Sequence, residues 1–141
     1  MKIKAEVIAD SKNKFGDRIT TMVVTFPRYI LAELNTHRMF SRNSASSRAI
    51  PFEKMLKSVK ENPFIPIAWQ KDHKGMQGTE YFTNIDDIST LTRYWLGSRD
   101  NSIDTASNMS RCFENEDGTV EGLTKQLCNR LLEPFMYHTV I

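Results

Sequence analysis

The repeat of apolar residues changes period near Pro27, and that change limits the folds open to the chain. Before it, Ile3, Ala5, Val7 and Ala9 alternate with Lys2, Lys4 and Glu6, the period-two pattern of a half-buried strand. Residues 18–26, RITTMVVTF, are rich in β-branched side chains and predict a second strand, with SKNKFGD (residues 11–17) as the turn of a hairpin. After it the spacing is helical. Pro27 suits the first turn of a helix whose buried stripe would be Ile30, Leu31 and Leu34. Pro51 opens a second, with Phe52, Met55, Leu56 and Val59 on one face and Asn62-Pro63 as its end. Residues 64–81 read as irregular, with Gly75 and Gly78 as breakers. Residues 86–96 predict a helix carrying Ile88, Leu91 and Trp95, capped by Gly97, and residues 102–114 a further one. NEDG (residues 115–118) is a turn. Residues 119–133 predict a long helix with Val120, Leu123, Leu127 and Leu131 on its buried face. Strands first and helices after predict an α+β domain, mainly antiparallel sheet packed with helices, spanning residues 1–141.

Charge excludes little by itself. The net charge of +2 is spread along the chain, too weak to argue for nucleic acid or a membrane surface. No apolar run approaches the roughly 20 residues of a membrane-spanning helix. The N-terminus, MKIKAEVIAD, has no apolar signal core. Cys112 and Cys128 form no CxxC and no Cys/His cluster, so both read as small core residues and no metal site is expected. A reducing, cytoplasmic setting follows as the expectation.

One segment stands apart. THRMFSRNSASSRA, residues 36–49, holds three arginines, a histidine, an asparagine, four serines and a threonine. Arg38, Arg42 and Arg48 are fixed cations with fork-shaped donors, suited to phosphate or carboxylate. Ser41, Ser44, Ser46 and Ser47 add hydroxyls, and Asn43 offers a donor and an acceptor to a base or ring edge. A solvated surface loop has the same composition. Against that, the segment lies between two apolar-striped helices and lacks Gly, Lys and Glu. His37 reads as a ligand contact, a general base, or a histidine bonded at a helix end. Arg130, at the edge of the predicted leucine face, needs an anion, an ion pair such as Glu133, or a route to water. His73, Gln77 and the glycines of residues 68–82 suit a lid or a plain connecting loop. No GxGxxG, P-loop, HExxH or GxSxG occurs.

The donor-rich segment resembles the signature of the flavin-dependent thymidylate synthases, RHRxxSxNExSxRY. His37, Arg38, Ser41, Asn43, Ser46 and Arg48 match without a gap, while Thr36, Ser44 and Ala49 replace Arg, Glu and Tyr. The chain looks most like the divergent phage form, THR-x-FSRN-x-x-SSRA. Arg130, Pro134 and Thr139 match a second pattern, an Arg-x-x-x-Pro helix end with a Thr five residues on. The likeness runs from about residue 18 to the end.

The resemblance implies reductive methylation of dUMP to dTMP, with methylenetetrahydrofolate as carbon donor, NADPH as reductant and FAD as cofactor. It also implies a homotetramer with active sites at subunit junctions. It places His37, Arg38 and Asn43 with the flavin. It places Ser46 and Arg48 in the catalytic, dUMP-holding stretch, and Arg130 at the dUMP phosphate. Glu33 stands where the family usually has Gln, and Ser44 where it has Glu; both are substrate-facing positions. These departures favour "a pyrimidine deoxynucleotide" over dUMP alone and leave an altered reaction, such as hydroxymethylation, open. The family continues past this Thr to a Trp, an Asn-rich helix start and a late Arg, and carries a histidine ahead of its first core strands. The run FMYHTVI after Pro134 therefore reads as a chain that stops within its domain, rather than as a C-terminal edge strand. An N-terminal half needing a second chain is the expectation. The rival from another class is a non-catalytic nucleotide- or flavin-binding, or assembly, protein on that fold. A nucleic-acid binder ranks last, because only Phe40 interleaves an aromatic ring with the arginines.

Overall fold

The structure, a computed structural model, describes residues 3–141; Lys2, read above as part of the first alternation, lies outside them. The alternating runs form the expected hairpin, but the first strand is exposed along its whole length rather than half-buried, because no other element among the described residues packs over it. β1 (Lys4–Lys12) and β2 (Arg18–Pro27) pair antiparallel from Lys4↔Thr25 to Lys12↔Arg18, with a bulge between Val7 and Ala9. In the turn, Asn13 Oδ1 accepts the N–H groups of Phe15 (2.9 Å) and Asp17 (3.0 Å). Gly16 takes a φ of +99°, which a side chain would resist.

Pro27 ends β2 instead of opening a helix: its ψ of 131° is extended. A 3-10 turn (Arg28–Ile30) and a five-residue helix, α1 (Leu31–Asn35), follow. The predicted buried stripe does not form. Leu31 and Leu34 are half-buried and Ile30 is exposed. The helix is too short to present a stripe, and Thr36 stops it: its N–H (3.1 Å) and its hydroxyl (2.7 Å) both donate to the Glu33 carbonyl. α2 (Phe52–Glu61) behaves as its spacing predicts, burying Met55 and Val59 one turn apart.

The two helices predicted over residues 86–96 and 102–114 are one. α3 (Ile85–Met109) runs through Gly97 without a break, capped at its start by Asn84 Oδ1, which accepts from Asp86 N–H at 2.8 Å. A glycine inside a helix costs only about 1 kcal/mol, and packing of Trp95, Ile103 and Ala106 offsets it. The NEDG turn joins β3 (Phe113–Glu114) to β4 (Val120–Glu121), with Gly118 at φ +80°.

α4 (Lys125–Leu132) corrects the strongest helix prediction. Residues 119–123 are strand and connection, so the helix starts late and turns another face inward. Cys128, Asn129 and Leu132 are buried, while Leu127 and Leu131 are 49% and 37% exposed. A 3-10 turn (Glu133–Phe135) leads into β5 (Tyr137–Val140), which pairs antiparallel with β2 to give a sheet of order β1-β2-β5. The terminal run FMYHTVI thus contributes a sheet strand. The core lies where α2, α3 and α4 meet: Met55, Val59, Ile103, Ala106, Cys128 and Leu132, closed by Phe135 and Met136. Cys112, expected in this core, is exposed in the turn after α3. The architecture is α+β with antiparallel sheets. Among the described residues, no helix is long and apolar enough to cross a membrane.

Candidate functional site

The donor-rich segment is not a free loop. Halfway along it, Asn43 and Ile141 exchange backbone hydrogen bonds (Asn43 N–H to Ile141 O, 2.8 Å; Ile141 N–H to Asn43 O, 2.9 Å), and Ser44 pairs with Val140. The segment thereby extends the sheet beyond β5 and divides into two halves.

The first half lies over one face of the hairpin. His37 is exposed at the end of α1; its N–H donates to Leu34 O (3.1 Å), and its ring lies 5.9 Å from that of Phe40. Arg38 is exposed and, among the described residues, makes no side-chain hydrogen bond or ion pair. Arg42 is already engaged: its Nη1 donates to the carbonyls of Leu34 (2.8 Å) and His37 (2.9 Å), so it staples the turn rather than reaching outward. Between this half and the strands runs a groove of about 680 Å³, walled by Met22, Val24, Leu34 and Phe40 and rimmed by Arg42 and Asn43.

The second half docks on α4. Ser46 closes a turn, its carbonyl accepting from Ala49 N–H (3.0 Å). Ser47 is the one buried residue of the segment, 3% exposed, and its hydroxyl donates to Glu133 Oε1. Arg48 Nε donates to Gln126 Oε1 (3.2 Å). Arg130 stands four residues after Gln126, on the same face of α4 and exposed. The fold therefore brings Ser46, Arg48 and Arg130 to one side of α4. Of the three residues expected at the flavin, it sets only Asn43 in the groove wall; His37 reaches the groove only through its contact with Phe40, and Arg38 does not line it. Ser44 lies between the two halves. Glu33 is exposed on α1 and, among the described residues, forms no ion pair. The segment as a whole lies at the surface rather than close to the core, apart from Ser47.

Glu133, weighed above as a partner for Arg130, instead faces Arg28 (Nη2 to Oε1, 3.6 Å). Arg28 Nη1 also donates to His138 Nδ1 (2.8 Å). Arginine can only donate, so the imidazole nitrogen it meets presents a lone pair. Burial first, then the Arg28 charge, push His138 down to about 4, with Glu133 opposing. Asn129 is fully buried and gives both N–H bonds to backbone carbonyls, Ser47 O (2.8 Å) and Ile50 O (2.9 Å). Sequence reading missed Arg28, Asn129 and His138. One signal was present for His138: Met136, His138 and Val140 alternate, which puts the histidine on the inward face of a strand.

Residues 68–82 close on themselves: Lys71 N–H bonds Glu80 O (2.9 Å) and Phe82 N–H bonds Trp69 O (2.8 Å). They enclose a small polar pocket of about 280 Å³ lined by His73 and Gln77 among others, and Trp69 stacks edge-on against Trp95 of α3 (6.2 Å). No three His, Cys, Asp or Glu side chains among the described residues converge on a point that could hold a metal ion.

Comparisons of the chain with protein families, with curated proteins and with solved structures return no match.

Proposed function

We propose that this chain is a flavin-dependent thymidylate synthase family protein, acting on dUMP or a related pyrimidine deoxynucleotide in dTMP biosynthesis. The observation that most supports the reading is the docking of Arg48 on the face of α4 that carries Arg130. Two exposed arginines and the Ser46 hydroxyl on one surface suit a phosphate dianion, which takes charge-assisted, bidentate bonds. In this reading Ser46 and Arg48 hold and orient the nucleotide and Arg130 takes its phosphate. Catalysis is then mostly positioning and electrostatics.

The chemistry of the groove suits FAD. Its apolar wall fits a flat ring system, and Ser41 and Asn43 in its lining offer hydrogen bonds to the ring edge or tail; in this reading the exposed Arg38 and His37 reach the anionic tail from outside the groove. When bound, the flavin supplies the hydride, after reduction by NADPH; methylenetetrahydrofolate supplies the carbon. Arg42 contributes by holding the turn, not by touching ligand. The protein works in the cytoplasm as a homotetramer, or with a second chain that carries the C-terminal half of the family fold.

The test is a titration of the purified protein with FAD, with and without dUMP, followed by visible absorbance. A flavin band that shifts on binding, and shifts further with dUMP, is expected; hydride transfer is then assayed with NADPH and the folate. No spectral change under any condition would overturn the flavoprotein reading. Binding without turnover would favour a non-catalytic nucleotide- or flavin-binding protein.

A further inference from the structure

The stretch holding Ser46 and Arg48 is fixed from beneath by groups that no ligand would touch. Ser47 points inward between two outward neighbours, and its hydroxyl meets Glu133 at the C-terminal end of α4. A carboxylate there faces the negative end of the helix dipole and is partly removed from water, so it needs compensation. Arg28 supplies the charge at 3.6 Å, and Arg28 is itself held by the neutral His138 at 2.8 Å. Four groups from four parts of the chain thus form one line: His138, Arg28, Glu133, Ser47. Asn129 adds a second anchor through two backbone carbonyls, while its own Oδ1 is buried without a partner.

We propose that Glu133 is a positioning residue: by holding the Ser47 hydroxyl, it fixes Ser46 and Arg48 in the arrangement that receives a deoxynucleotide phosphate. This rests on the functional reading of Ser46 and Arg48 given above. Glu133 touches no ligand and acts through Ser47. Its carboxylate does two things that can be separated, accepting from Ser47 and balancing Arg28.

Amide hydrogen exchange at residues 48–50 and dUMP affinity by calorimetry, in the full chain, test this. Glu133→Ala removes both functions. Exchange at residues 48–50 is then expected to quicken at least tenfold, with α2 and α3 amides unchanged, and dUMP affinity to fall at least tenfold. Glu133→Gln keeps an acceptor for Ser47 and is expected to restore slow exchange at residues 48–50 and most of the affinity, a rescue that a purely charge-balancing role would not give. Ser47→Ala leaves Arg28 and Glu133 intact and is expected to reproduce the Glu133→Ala result, so it carries the test if that variant does not fold. Unchanged exchange at residues 48–50 in Ser47→Ala, or no rescue by Glu133→Gln, overturns the proposal. If the unaltered protein binds no dUMP, the nucleotide reading fails on its own, and the exchange comparison still decides whether Glu133 positions the stretch.

Discussion

His138 packs edge-on against Phe26 (5.8 Å between ring centroids) on the inner face of the sheet, with Arg28 and Glu133 as its charged neighbours. Its folded-state value of about 4 lies below the ordinary 6.5. Between those two values the unfolded chain takes up a proton that the folded chain refuses, so stability falls as pH drops from 6.5 towards 4. At about 1.4 kcal/mol per unit, the loss is at most about 3.5 kcal/mol. Urea unfolding across that window should show it, and His138→Gln should flatten the slope. Arg130 offers the opposite behaviour. Its side chain is exposed, so Arg130→Ala should leave stability within about 0.5 kcal/mol. On the proposed function it should weaken dUMP binding by roughly 10- to 100-fold, the worth of a charge-assisted bond; calorimetry and denaturation on the same sample separate the two. The exposed donors were legible in sequence because so many arginine, serine and asparagine residues in fourteen positions is an unusual composition. The buried line beneath them was not. Ser47 and Glu133 are 86 residues apart, and nothing local in either stretch announces the other.

Two glycines show how far an element can be read from its letters. Gly97 looks like a helix stop, yet it sits on the outer side of α3, where an added methyl would meet no atom within 4 Å. Gly97→Ala should raise stability by about 0.5–1 kcal/mol, through the lower backbone entropy of the unfolded chain. Gly122 gives no sequence signal, but its backbone lies against Ser110, and a Cβ there would overlap the Ser110 carbonyl. Gly122→Ala should cost about 1–3 kcal/mol, because backbone rather than a side-chain tip must move; thermal melts of the pair should shift in opposite directions. The same contact explains the misread α4. Leu123 N–H bonds Met109 O (2.6 Å), so residues 119–123 are held as strand and connection by α3. The leucine spacing that suggested one long helix never becomes a single face. α2 was legible because its stripe packs where periodicity alone puts it.

At the scale of the molecule, the helices and the sheet carry unequal shares of stability. Every residue of β1 is exposed, and as the edge strand it is held, among the described residues, only by its pairing with β2, so it has little burial to stabilise it. Lys4, Glu6, Asp10 and Lys12 line that edge with charge, which discourages pairing with other strands. Amides of β1 should therefore exchange well before those of α2 and α3, whose inner faces meet in the core. The antiparallel α+β class was legible because the switch of period at Pro27 is a property of the whole sequence. The order β1-β2-β5 was not, since it depends on the last strand returning to β2 across the length of the chain.

That return has a kinetic meaning. The bonds between Asn43 and Ile141 join positions separated by almost all of the three-helix core. They cannot form until that core has brought the chain end back, because the entropy of closing so long a loop must be met first. The clasp that divides the donor-rich segment is therefore among the last contacts made in folding and among the first lost. In exchange measurements, Asn43 and Ile141 should open together and ahead of Met55. On the proposed function, a ligand held at this segment would stabilise that late-formed clasp most.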